Sequence, residues 1–177
     1  MSAVTGRSAG WTMISAMPSA RDGPPIEGAE LRRAVPDDAA ELLVLQRCCW
    51  VDEAMANETL DIAALHESLD DVRQWIDEWT AWCVRVGGRL VGAVRARQEG
   101  TTWDIGRLMV APDLSGRGLG RWLLGFAEAS APADVDAIVL FTGAKSARNI
   151  AMYERAGFRR LDVPAPPGAV GLGKRRR

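Results

Sequence analysis

Apolar and polar positions recur along this chain with periods near 3.6 and about 2, and their order predicts the elements. Residues 31–34 form a short first strand. Pro36 with Asp37 and Asp38 marks a helix start, since proline fits a first turn and acids suit its positive end. That helix is expected to reach about Cys49, with Ala39, Leu42, Gln46 and Cys49 on one face and Leu43 beside it. Residues 57–65 read as a loop, and 68–79 as a second helix with Leu69, Val72 and Ile76 inward. Strands at 82–86 and 90–95 flank Gly87-Gly88, a two-residue hairpin signal. Gly100 turns the chain into a strand whose core is 104–110, and Pro112 ends it because proline donates nothing to a ladder. A helix follows, burying Leu119, Leu123, Phe126 and Ala127 at helical spacing. After Pro132 come a strand at 137–141, a helix opened by Ser146 and closed by Gly157, and a short strand at 158–163. Pro164, Pro166 and Pro167 lead stiffly to a last strand at 169–173.

Two stretches carry chemistry. In Ser115-Gly116-Arg117-Gly118-Leu119-Gly120, three glycines meet the start of a helix, which brings unpaired N–H groups and a positive dipole end together. Such a turn suits a phosphate or pyrophosphate. It is no dinucleotide fingerprint, because Arg121 stands where a third glycine belongs, and no P-loop, because Ala144 interrupts Gly143-Ala144-Lys145-Ser146. The second stretch is Asn149-Ile150-Ala151-Met152-Tyr153-Glu154-Arg155-Ala156-Gly157-Phe158, which puts Asn149 and Tyr153 on one helical face.

Together, in this order and with a strand between them, the two stretches resemble the GNAT superfamily of N-acetyltransferases. Its acetyl-CoA loop reads Gln/Arg-x-x-Gly-x-Gly/Ala; Gly118 and Gly120 match, and Ser115 departs from Gln/Arg. The resemblance spans about 31–174. It implies an α/β fold: a mixed, mostly antiparallel sheet of about six or seven strands, splayed at the central strand, with helices on both faces. It also implies an acyltransferase passing the acetyl group of acetyl-CoA to an amine by direct attack in a ternary complex. Leu108, Met109, Val110, Ser115, Gly116, Arg117, Gly118, Leu119, Gly120, Arg121, Asn149 and Tyr153 would then border the cosubstrate. Tyr153 would be the acid at the leaving thiolate. Asp104 would be the base, at a position where many members carry Glu, with Glu53 as runner-up. A backbone N–H near Met109 or Val110 would hold the oxyanion. A non-catalytic acyl-CoA sensor or partner-binding module, or transfer of another acyl group, are the alternatives.

Composition narrows this further. The 177 residues suit one ordinary N-acetyltransferase domain at 29–174, behind an expected disordered leader at 1–28 rich in Ser, Ala, Gly and Pro and before a basic tail at 175–177. Met13 and Met17 leave a later start open. Net charge is −1 and pI about 5.9, so no global basic field recruits nucleic acid. Three cysteines, Cys48 and Cys49 adjacent, make no disulfide framework and fit a reducing cytoplasm. A lone histidine, His66, makes no metal site, and no apolar run approaches the ~20 residues of a membrane span. The expected state is a monomer or homodimer. Of the seven tryptophans, Trp82 and Trp122 are expected in the core and Trp50 beside the acceptor. Residues 50–79 hold nine acids against one base, Arg73. Beside an acceptor they would form an acidic wall favouring a cationic small molecule or peptide amine, while Arg117, Arg121, Lys145 and Arg148 would suit CoA's phosphates.

Overall fold

The computed structural model describes residues 23–176. Most of the leader expected over 1–28 therefore lies outside the described residues. Strand β1 (Ala29–Arg33) passes through a 3-10 turn at Pro36–Asp38 into α1 (Ala39–Asn57), followed by α2 (Ala63–His66) and α3 (Leu69–Glu78). Then come β2 (Thr80–Val86), β3 (Arg89–Glu99), β4 (Thr102–Val110), α4 (Leu119–Ala129), β5 (Ala137–Gly143), α5 (Ala147–Arg155), β6 (Arg159–Arg160) and β7 (Ala169–Arg175). The seven strands form one sheet in the order β1-β2-β3-β4-β5-β7-β6. Every neighbouring pair is antiparallel except β4 and β5.

Several boundaries differ from those the pattern predicts. Helix α1 runs on to Asn57, because no glycine or proline interrupts it and Glu58 ends it in the left-handed region at φ 55°. Residues 57–65 contain the start of α2. The strand expected at 158–163 pairs regularly only at Arg159 and Arg160, while β7 extends to Arg175 against Ala137. The helix faces also shift. Leu45 and Ala54 are buried in α1 where Cys49 is half-buried, and Trp75 joins Val72 and Ile76 under α3.

Helices cover both faces of the sheet. A Cβ on Gly92 would lie 3.1 Å from Leu119 and 3.2 Å from Leu123, so the Gly92 side of β3 faces α4. Arg95, on the alternate side, stacks on Trp75 and Trp79 at the end of α3. Below α1, the buried Asp38 accepts bonds from Arg32, Arg85 and the Val35 N–H. Burial alone would raise its carboxyl, but these donors hold it down at about 2.

The feature that positions the site is a split. Strand β4 pairs with β5 only from Thr102↔Ala137 to Ile105↔Leu140. Beyond that point β4 stays paired with β3 through Met109 and Val110, and β5 with β7 through Gly143. The sheet therefore opens between 106–110 and 141–143. A bulge marks the opening: between Arg95↔Gly106 and Ala93↔Met109, β4 uses one residue more than β3. Arg107, at φ 49°, sits in it.

Candidate active site

A cavity of about 600 Å³ fills the split. Helix α1 supplies Cys49, Trp50, Glu53 and Asn57, β4 supplies 104–108, β5 supplies 140–143, and α5 supplies Asn149 and Tyr153. Pro166 and Pro167 close one side. The proline link expected to be a stiff connector thus also forms a wall.

Glu53 ties α1 to the β5 bank of the split. One oxygen accepts from the Gly143 N–H at 2.8 Å, and the other from the Asn149 amide at 3.0 Å. Asn57, one turn on, donates to the Glu53 carbonyl and to Ser146 Oγ, and accepts from the Lys145 N–H. A Cβ on Gly143 would lie 2.6 Å from Glu53 Oε1, so only glycine lets this carboxylate reach the backbone. The extra turns of α1 therefore build half of the site.

Tyr153 is buried against Phe158, ring centroids 6.1 Å apart, and its hydroxyl bonds to none of the described residues. Burial, with the Glu53 charge second, pushes its phenol above the ordinary value, so it stays protonated at neutral pH. Asp104 lines the same cavity. Burial raises its carboxyl, Glu99 adds to this, and Arg97 and Arg95 oppose it. Cys49 donates to the Val110 carbonyl at 3.1 Å, and burial lifts its thiol to about 11. It is no ready nucleophile.

Arginines and tryptophans share the other end. Arg95 lies 4.9 Å from the Trp75 ring and 4.3 Å from Trp79; Arg97 lies 4.3 Å over Trp79, and Arg107 5.4 Å from Trp50. Arg107 also pairs with Glu67, and its backbone lies in the left-handed region that non-glycine residues rarely adopt. Gly106 keeps the space open, since a side chain there would begin 3.5 Å from Arg95 Nε and 3.7 Å from Trp79.

The glycine turn stands apart from the cavity lining. Gly116 and Gly118 take φ 83° and 87°, values that need glycine, and Gly118 caps α4 without a side-chain acceptor. Among the described residues, no side chain caps the N–H groups in the first turn of the eleven-residue α4. Gly120 lies close under Leu108 and Val110, so the turn adjoins the open end of β4.

Of the residues the sequence singles out, the cavity brings together Glu53, Asp104, Leu108, Asn149 and Tyr153. Met109 is core, Val110 half-buried, and 115–121 lie outside the lining. Lys145 is engaged by Glu58, and Arg148 donates to Ser115 Oγ. The acidic wall is not one: of its nine acids, Glu53 and Asp61 line the cavity, Glu58 and Glu67 are paired with Lys145 and Arg107, and Asp52, Asp70, Asp71, Asp77 and Glu78 face solvent. Trp50 does line it, and Trp82 and Trp122 are core as expected. Arg95, Arg107 and Trp79 were missed. The alternation Arg95-Ala96-Arg97 carried the signal, since period 2 sets both arginines on one face of a strand. Among the described residues no cluster could hold a metal ion, and no helix is long and apolar enough to cross a membrane.

No curated protein matches the chain by sequence. Solved structures match its fold. An acetyltransferase from Thermus thermophilus aligns at 20% identity over 84% of this chain and 97% of its own, with TM-score 0.66. One from Streptococcus agalactiae aligns at 24% identity over 85% and 100%, with TM-score 0.65. The PaiA N-acetyltransferase of Thermoplasma acidophilum, solved in complex with coenzyme A, aligns at 14% identity over 84% and 99%, with TM-score 0.62. At such identities these likenesses speak for the fold alone. The sequence profile of the acetyltransferase (GNAT) family matches residues 41–158, from α1 through the glycine turn to the end of α5, and the chain belongs to that family.

Proposed function

We propose that this acetyltransferase passes the acetyl group of acetyl-CoA to an amine, on a small molecule or a peptide, by direct attack within a ternary complex. The observation that carries the reading is the split in the sheet, with Asp104 and Tyr153 lining one cavity beside an open glycine turn. The unpartnered N–H groups at the start of α4 suit a pyrophosphate, and the unpaired edge of β4 suits the amide-bearing arm of CoA. The coenzyme A held by the Thermoplasma protein supports the same choice.

The amine nitrogen attacks the thioester carbonyl carbon, the C–S bond breaks, and sulfur leaves as thiolate. An alkylammonium titrates near ~10.4, so a base must first take its proton. Asp104, its basicity raised by burial, is assigned this role through a water, because its side chain is short. Glu53 is the weaker candidate, since both its oxygens are already engaged. Backbone N–H groups of 108–110 at the split are assigned to the oxyanion. Tyr153 is assigned to the leaving sulfur. Its phenol, above ~10, faces a thiol near ~8.5, so full proton transfer is uphill by more than about 2 kcal/mol. A hydrogen bond that strengthens as charge develops does the work instead. With Cys49 held near 11, an acyl-cysteine intermediate is disfavoured.

Thiol release from acetyl-CoA, followed across amines and protein N-termini with product mass measured, tests the reading. N-acetyl product in step with thiol is expected. Tight acetyl-CoA binding with no turnover on any amine would make the protein a sensor, and faster release from another acyl-CoA would change the donor.

A further inference from the structure

Arg95 sits where the sheet begins to part. It pairs in register with Gly106, the first β4 residue beyond the pairing with β5, and it lines the cavity. Two indole rings hold its guanidinium in place. Among the described residues, no carboxylate comes within ion-pair distance of it and no hydrogen bond reaches it, and its Nε is buried without a partner. Its neighbours are otherwise committed: Arg107 to Glu67, Arg97 to Glu99. Burial and the Arg107 charge lower its pKa to about 10, so it remains a cation at neutral pH.

A desolvated, unpaired guanidinium is costly unless something answers its charge. Stacking on tryptophan compensates in part, but it leaves the planar fork of donors unused. Arg97 and Asp104 also pair in register, so Asp104 lies two residues along β4 from Gly106, about 7 Å away on the same face. An acid that suits an amine and a cation that suits an anion thus lie side by side on the cavity floor. A compact amino-carboxylate can set its carboxylate on the guanidinium and turn its amine toward Asp104 through the water assigned above.

Resting on the acetyl-transfer reading above, we propose that the acceptor is a small amine that also carries a carboxylate, and that Arg95, stacked between Trp75 and Trp79, is the residue that binds this carboxylate and sets acceptor specificity.

The test uses matched pairs that differ only by the carboxylate: leucine and 3-methylbutylamine, phenylalanine and phenethylamine, tryptophan and tryptamine, arginine and agmatine. Thiol release is measured for each and corrected for the free-base fraction. Within at least one pair, the amino acid should exceed its partner about tenfold in kcat/KM, chiefly through KM, as a charged hydrogen bond allows. Arg95→Met should erase that advantage and leave acetyl-CoA affinity and the melting temperature near wild type, while Arg95→Lys restores part of it. The N-acetylated forms of the same pairs, titrated into CoA-loaded protein by calorimetry, read the site without turnover. Carboxylate-dependent binding that Arg95→Met abolishes, with no acetyl transfer, would sustain the inference and sink the acetyl-transfer reading. Transfer to amines with no carboxylate preference would do the reverse. No preference in either binding or turnover for any pair overturns the inference in the wild type alone, whatever the variants do.

Discussion

The glycine turn after β4 offers a ligand little but backbone. Gly116 and Gly118 take positive φ, Gly118 caps α4 without a side chain, and the arginines around it are exposed. The far end of the cavity is the opposite: a few side chains from α1, α3, β3 and β4 stack on one another with little freedom to move. A backbone site accepts any ligand with the right anion and does not depend on its neighbours' identities. A side-chain site is specific, and changes whenever one of its contributors does. One chain can therefore keep a common cosubstrate at one end while tailoring the acceptor at the other.

The sharpest break of this comparison is at the turn itself. Gly120→Glu places a carboxylate where a phosphate would approach. Its Cβ would meet Leu108 and Val110 at an ordinary 3.6 Å, so the fold should survive. Calorimetry should show acetyl-CoA affinity falling about a hundredfold, near 3 kcal/mol. Unchanged affinity would move the cosubstrate elsewhere.

Between the two ends lies the chemistry proposed above, and there Tyr153→Phe is the cut. The hydroxyl bonds to no described residue in the resting site, so the ground state loses little. Turnover should fall roughly thirtyfold while the KM for acetyl-CoA barely moves, the mark of an interaction made in the transition state. A variant as fast as wild type would leave Tyr153 a packing role against Phe158.

The same contrast explains what could be read from the chain. Backbone sites announce themselves, because glycines at positive φ and a helix start are local signals, so the glycine turn and the Gly157 stop were legible. The Gly87-Gly88 hairpin was legible for the same reason. Side-chain sites assemble through tertiary contact. Nothing near Arg95 in sequence points to Trp75 and Trp79 as its partners. Nothing within α1 says that Glu53 reaches Gly143, ninety residues on. The acids of 50–79 misled because charge counting ignores direction: most belong to outer helix faces, and Glu67 serves the Arg107 bulge.

Asp104→Asn tests the base on the acceptor side. In the wild type, kcat/KM should rise as pH climbs through the raised Asp104 pKa, because only the carboxylate can accept a proton. The variant should lose that acid limb and about tenfold in rate, a modest loss if the proton passes through water. The rise from the amine's own ionisation, toward ~10.4, should persist in both. If the limb survives in Asp104→Asn and vanishes in Glu53→Gln, the base is Glu53 and the cavity polarity must be redrawn.

The smallest effect concerns the remaining acids. Asp61 lines the cavity, but its side chain is 99% exposed, so its pull on an incoming ammonium is screened within about 8 Å at physiological salt. Asp61→Lys should raise the acceptor KM about threefold and leave that for acetyl-CoA unchanged, with the difference shrinking as salt rises. Asp52 is exposed on α1 and outside the lining, so Asp52→Lys should change neither constant. The pair separates two sources of attraction. If both reversals act alike, the whole acidic segment steers the acceptor as a diffuse field. If only Asp61 acts, recognition belongs to the cavity, where Arg95 and Asp104 set the terms.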